Sequence, residues 1–184
     1  WGYCSKKTCR RLQPHKFAPL ASIGKKFICI ECKNDLLPAR LVAMCENGHL
    51  DNFPWIEWAH SGKKDVETAK TCDQQKCVLE WNSLNKSTDF GDYYIKCRDC
   101  GSSRSMGMAV AKNGIPTELA VCTGYRPWLD NHEKCVKKVK KDSKNENKEK
   151  SEKEDLPEKE DTQVSIKGVL TRATSLYFPS VISG

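Results

Sequence analysis

CSKKTC at residues 4–9 and CIEC at 29–32, matched further along by CDQQKC at 72–77 and CRDC at 97–100, are the stretches that decide how this chain folds. Each copy spells Cys-x4-Cys-x19-Cys-x2-Cys, so Cys4, Cys9, Cys29 and Cys32 form one set of thiols and Cys72, Cys77, Cys97 and Cys100 the second. Two short-range thiol pairs joined by a loop long enough for a hairpin are the donor layout of a closed tetrahedral zinc site. The spacing therefore predicts two Zn2+ ions. The fold expected around them is a small zinc-stabilised α+β domain: two four-cysteine ribbon-like units with short β-hairpins and a few short helices. Only the donors repeat, so stacking of the units as a solenoid is not expected.

Disulfides are the first competing use of the thiols. An odd cysteine count of eleven, 30% charged residues and the lack of an apolar leader argue against them, although the chain starts at Trp1. Iron in a four-thiolate site is the second alternative.

With 184 residues and 38% hydrophobic content the chain can bury one moderate core or two small ones. Residues 137–161 cannot contribute, since they carry nine lysines and nine acids and read as a solvated linker or loop. The chain divides accordingly into a first ribbon (1–36), a connecting strand with a tryptophan-bearing helix (37–71), a second ribbon and its following segment (72–136), the linker (137–163) and a C-terminal segment that packs back on the domain or on further parts of the protein (164–184).

The formal charge is +7, but eight zinc-bound thiolates against two divalent ions lower it to about +3. Local clustering is more informative than the total. Lys6, Lys7, Arg10 and Arg11 surround the first thiol pair and Lys25 and Lys26 sit in its loop, making them candidates for nucleic-acid contact or for balancing the site's negative charge. No apolar run approaches the ~20 residues that span a bilayer.

Short strands are expected at 27–30, 41–44, 78–81 and 93–96, with 104–111 as a further strand. Residues 54–60 read as a short helix, with Asp51 and Asn52 as possible caps and Trp55 and Trp58 on one packed face. The remaining cysteines, Cys45, Cys122 and Cys135, combine with His49 and His60 into a possible third metal site, with buried free thiols as the alternative. No complete catalytic constellation accompanies them, because the acids are scattered and no glycine-rich phosphate loop precedes a helix. An enzyme is not expected.

Three strings resemble a known family: LPARLVAMCENGHLDNFPWIEWAH (37–60), VCTGYRPWL (121–129) and TRATSLYFPSVISG (171–184). They read as C-x2-GH-x3-FPW-x2-W-x-H, CxGxRPWL and R-A-x-x-x-YFP, in the order found in the DrmB family. Those proteins are zinc-containing helicase-partner subunits of the DISARM phage-defence system, related to the C-terminal zinc-binding domain of some bacterial helicases. The resemblance implies a bacterial, cytoplasmic accessory subunit that docks on a superfamily 2 helicase and helps it engage DNA. It also implies a fragment of a longer protein and makes Arg172, Tyr177 and Phe178 candidates for a packing or subunit interface. The alternatives are a stand-alone nucleic-acid-binding zinc-ribbon module of transcription or translation and a metal-dependent nuclease.

Overall fold

The computed structural model describes residues 1–17, 26–62, 72–84, 89–136 and 164–171. Within them the chain forms eleven short strands and one α-helix: β1 Gly2–Cys4, β2 Arg11–Gln13, β3 Leu36–Pro38, β4 Leu41–Cys45, β5 Leu50–Asn52, α1 Trp55–His60, β6 Leu79–Ser83, β7 Tyr93–Cys97, β8 Ser103–Ser105, β9 Tyr125–Arg126, β10 Asn131–His132 and β11 Ile166–Leu170. The domain is mostly β, and the helical share of the expected α+β fold is smaller than its name suggests. Among the described residues the other helical pieces are 3-10 turns, at His15–Phe17, Phe90–Asp92 and Gly107–Val110.

Strands β3, β1, β2, β6, β7 and β8 form one antiparallel six-stranded sheet in that order. Its first three strands come from the first cysteine unit and its last three from the second. The join lies between β2 and β6, where Arg11 pairs with Glu80 and Leu12 with Leu79. Arg11 and Leu79 each lie two residues beyond the second cysteine of their unit, and Leu12 and Glu80 each lie three beyond. Equivalent strands therefore pair around an approximate local two-fold axis. A charged cluster seals the join: Glu31 accepts from Arg11 at 3.1 Å and from Arg98 at 3.0 Å, and Arg98 Nε also donates to Glu80 at 2.8 Å.

A second sheet orders β11, β4 and β5, with β11 antiparallel to β4 from Ile166 opposite Cys45 to Leu170 opposite Leu41. Alternation along β4 turns Leu41, Ala43 and Cys45 inward. Helix α1 packs on the six-stranded sheet, against β7 and β8. Trp58, Trp55 and Phe53 are at most 2% exposed and join the layers as an aromatic cluster. Phe53 meets the edge of Trp58 at 5.5 Å, Trp55 meets the edge of Trp81 on β6 at 5.6 Å, and Trp81 stacks on Tyr3 of β1 at 5.2 Å. Arg104 of β8 lies 3.9 Å from the Trp58 ring centroid, and Ser102 Oγ donates to Ala59 O at 2.9 Å.

Three expectations need adjusting. Residues 27–30 supply only isolated bridging, with Ile28 opposite Asp35, because the chain turns at once into the cysteine pair. The strand expected over 104–111 stops at Ser105, where the Ser105 hydroxyl accepts from the Gly107 N–H and the chain coils into a 3-10 turn. Pro54 is the residue before α1 rather than within its first turn, and the side chain of Asp51 accepts from Asn52 N and from Thr123 Oγ1 instead of capping the helix. The linker and the residues Lys25, Arg172, Tyr177 and Phe178 lie outside the described residues.

Candidate metal centres

Cys29 and Cys97 stand at the head of near-identical knuckles. Cys29 donates its N–H to Asn34 O and its carbonyl oxygen accepts from Lys33 N–H; Cys97 does the same with Ser102 O and Gly101 N–H, all at 2.8–3.0 Å. The turn needs a left-handed residue just past the second cysteine, which Gly101 supplies at φ +73° and Lys33 at φ +60°.

In the first cluster the Sγ atoms of Cys4, Cys9, Cys29 and Cys32 all lie within 4.8 Å of one another. Cys4 and Cys32 are 3.3 Å apart and Cys9 and Cys29 3.8 Å, against about 3.8 Å between sulfurs that share a tetrahedral zinc with 2.3 Å bonds. These separations far exceed a disulfide bond of about 2.05 Å, and all eleven cysteines are free. Burial pushes the Cys4 and Cys9 thiols up, whereas the Asn34 backbone N–H, followed by other hydrogen bonds, draws Cys32 down to about 6. A divalent cation removes the penalty at buried thiols, because it holds them as thiolates outright.

The second cluster differs from its sequence prediction in one respect. Cys72, Cys77 and Cys97 converge, with Cys72 and Cys97 Sγ 3.6 Å apart, and the residue that shares their 4.8 Å circle is His60. Cys100 is buried, at 1% exposed, but lies outside that group of four donors, so His60 stands where the spacing predicted Cys100. His60 Nδ1 lies 2.7 Å from Ile56 O, which fixes Nδ1 as the protonated nitrogen. Its Nε2 is left buried without a hydrogen-bond partner. An orphaned imidazole nitrogen beside the buried Cys97 and the half-buried Cys72 and Cys77 thiols fits a cation. Burial raises the Cys77 thiol to about 12 and raises Cys72 as well.

Cys45, His49, Cys122 and Cys135 form the third cluster, and His60, which the sequence reading grouped with them, is held in the second by the placement of α1. His49 Nδ1 is 3.4 Å from both Cys45 Sγ and Cys122 Sγ, and Cys45 Sγ is 3.9 Å from Cys135 Sγ. Three N–H groups aim at these sulfurs: Asn47 N at Cys45, Asn47 Nδ2 at Cys135 and Gly124 N at Cys122, at 3.2–3.3 Å. His49 is 3% exposed, and its Nε2 lies 2.6 Å from Glu133 Oε1. Arg126 donates to the same carboxylate oxygen, and these two partners, Arg126 first, hold the Glu133 carboxyl down at about 2. Sequence spacing gave no signal for Glu133, Arg126 or Asn47, which reach the cluster only through the β9–β10 hairpin and the 45–49 turn.

Of the basic candidates, Arg11 is tied to Glu31 and Lys26 to Asp35 at 3.5 Å, while Lys6 and Lys7 are exposed and Arg10 is half-buried. No helix of the described residues is long and apolar enough to cross a membrane.

Fold and clusters together define a small, mostly β domain whose cysteine and histidine groups are compatible with zinc. The chain belongs to a domain family of unknown function, DUF8724, which it matches over residues 1–178. It is also 33% identical over 105 residues to a DISARM protein DrmB from Bacillus paralicheniformis (strain ATCC 9945a / NCIMB 11709 / CD-2). That match covers 57% of this chain and 17% of the relative's length.

Proposed function

We propose that this domain is a non-enzymatic, zinc-stabilised accessory module of DISARM-type phage defence in the bacterial cytoplasm, docking on a superfamily 2 helicase and helping it engage DNA. The observation that carries the reading is the 33% identity to a DISARM protein DrmB. The donor atoms support the zinc part: each of the first two clusters offers at least four ligands, enough to close a tetrahedral site and leave no position for substrate. Zinc supplies a fixed, redox-inert crosslink there. The protein's own residues supply the rest: the knuckle amides orient the thiols, and the Glu31, Arg11 and Arg98 cluster locks one ribbon to the other.

A partner surface is offered by the β9–β10 hairpin. Its tip carries Trp128 and Leu129, 58% and 63% exposed, with the Arg126 guanidinium 5.9 Å from the Trp128 ring centroid. Exposed tryptophan beside arginine is the composition of an interface anchor. The internal pairing of Arg11 and Lys26 favours engagement of DNA through the helicase over a stand-alone nucleic-acid module. The test is co-purification of the protein with its helicase, alongside phage protection in cells. The double change Trp128→Ala and Leu129→Ala should lower both at least about 10-fold, as loss of an interface anchor does. Unchanged capture and unchanged protection would refute the docking role.

A further inference from the structure

The third cluster carries an inference beyond the two ribbons. We infer that Cys45, His49 through Nδ1, Cys122 and Cys135 bind a third zinc-class divalent ion, and that this ion clasps the exposed β9–β10 hairpin onto the second sheet. It rests on the metal-binding part of the proposed function and is independent of the helicase part.

Geometry supports the donor set. A tetrahedral Cys3His zinc with 2.3 Å sulfur and about 2.05 Å nitrogen bonds separates nitrogen from sulfur by about 3.6 Å and sulfur from sulfur by about 3.8 Å. The cluster shows 3.4, 3.4 and 3.9 Å. The histidine is set for coordination: a carboxylate only accepts, so the 2.6 Å contact to Glu133 requires the proton on Nε2 and leaves the Nδ1 lone pair facing the thiols. Glu133 is itself fixed by Arg126, from the opposite strand of the same hairpin. The 45–49 turn repeats the knuckle logic, with Gly48 at φ +83°, Gly48 N–H donating to Cys45 O at 3.1 Å and Asn47 N–H aimed at the sulfur.

The ligands come from the end of β4, the turn before β5, and the two flanks of the hairpin. Without the ion the hairpin is tied to the sheet by a few polar contacts, such as Thr123 to Asp51 at 2.7 Å and Cys122 N–H to Val164 O at 3.2 Å. Glu133 and Arg126 act as positioning residues, through His49.

The experiment measures zinc per chain by elemental analysis and zinc release to a chromogenic chelator, on the wild type, Cys135→Ser, Glu133→Gln and Glu133→Asp. Three ions in the wild type and two in Cys135→Ser, with far-UV circular dichroism retained, are expected. Glu133→Gln should keep three ions as purified but release one of them at roughly 10–100-fold lower chelator concentration, with Glu133→Asp restoring part of the loss and the other two ions unaffected. Amide exchange should rise in the hairpin alone in Cys135→Ser. Two ions in both wild type and Cys135→Ser overturn the clasp while leaving the ribbons intact. No zinc in the wild type overturns the zinc scaffold as well. A release curve unchanged by Glu133→Gln overturns the positioning role.

Discussion

Replacing Trp58 by alanine separates two uses of the tryptophan motif, as core or as contact surface. The side chain is fully buried, meets Phe53 edge-on at 5.5 Å and lies under the Arg104 guanidinium at 3.9 Å. A buried tryptophan removes about 150–250 Å2 from water, which at ~25 cal/mol per Å2 amounts to about 4–6 kcal/mol. Partial collapse of the site lowers this to about 3–5 kcal/mol, the usual cost of truncating a large aromatic. Loss of the ring under Arg104 adds about 0.5–1 kcal/mol. We expect a total near 4 kcal/mol, or about 8–16 °C in Tm for a domain of this size. The assay is thermal unfolding with zinc held constant, followed by far-UV circular dichroism, with Trp128→Ala as the exposed counterpart, expected within about 0.5 kcal/mol of wild type. A loss under about 1 kcal/mol for Trp58→Ala, accompanied by weakened partner binding, would refute the core assignment.

Cys29→Ser should release about one zinc per chain and disorder the first knuckle, seen as a one-ion drop in elemental analysis and selective loss of amide protection around residues 29–36; full metal content would remove Cys29 from the donor set. Gly124→Ala should cost about 2 kcal/mol or more in urea unfolding, because Gly124 sits at φ +73° and an added Cβ would meet Glu133 O at 1.7 Å. The pH test uses Glu31, whose carboxyl is held below its ordinary value by hydrogen bonds from Arg11 and then Arg98. A depressed folded pKa contributes stability above the ordinary value of about 4.3 and loses it as pH falls through the folded value. The Tm gap between wild type and Glu31→Gln should thus be full near pH 7, shrink below about pH 4, and diminish in 1 M salt; a gap that widens on acidification would contradict the junction.

The sequence spoke clearly where the constraint is local. A Cys-x2-Cys pair followed by a residue that tolerates left-handed backbone fixes a knuckle, and the apolar run at 41–44 marks a strand read as buried, whose Val42 and Met44 face is only half-buried. It spoke less clearly where the partner is remote. Nothing in the spacing of β2 and β6 signals that equivalent strands pair across a two-fold join, since three-residue strands carry too little pattern to name a neighbour. His60 was grouped with Cys45 by proximity in sequence; the packing of α1 against β7 and β8 turns it toward Cys72 and Cys97 instead. The third cluster was visible only as leftover residues, because Cys45, Cys122 and Cys135 are brought together by the second sheet and by a hairpin whose register no local motif states. Glu133 was silent for the same reason, its role arising only once β10 lies beside β9.

Native mass spectrometry of the intact chain, before and after chelation under reducing conditions, tests the metal account most directly. The expected result is a folded species heavier than the bare chain by whole zinc ions, two for the ribbons and a third for the clasp, with loss of compact charge states once the ions are removed. A compact species at the mass of the metal-free chain, or lighter by pairs of hydrogens from disulfide formation, would contradict it.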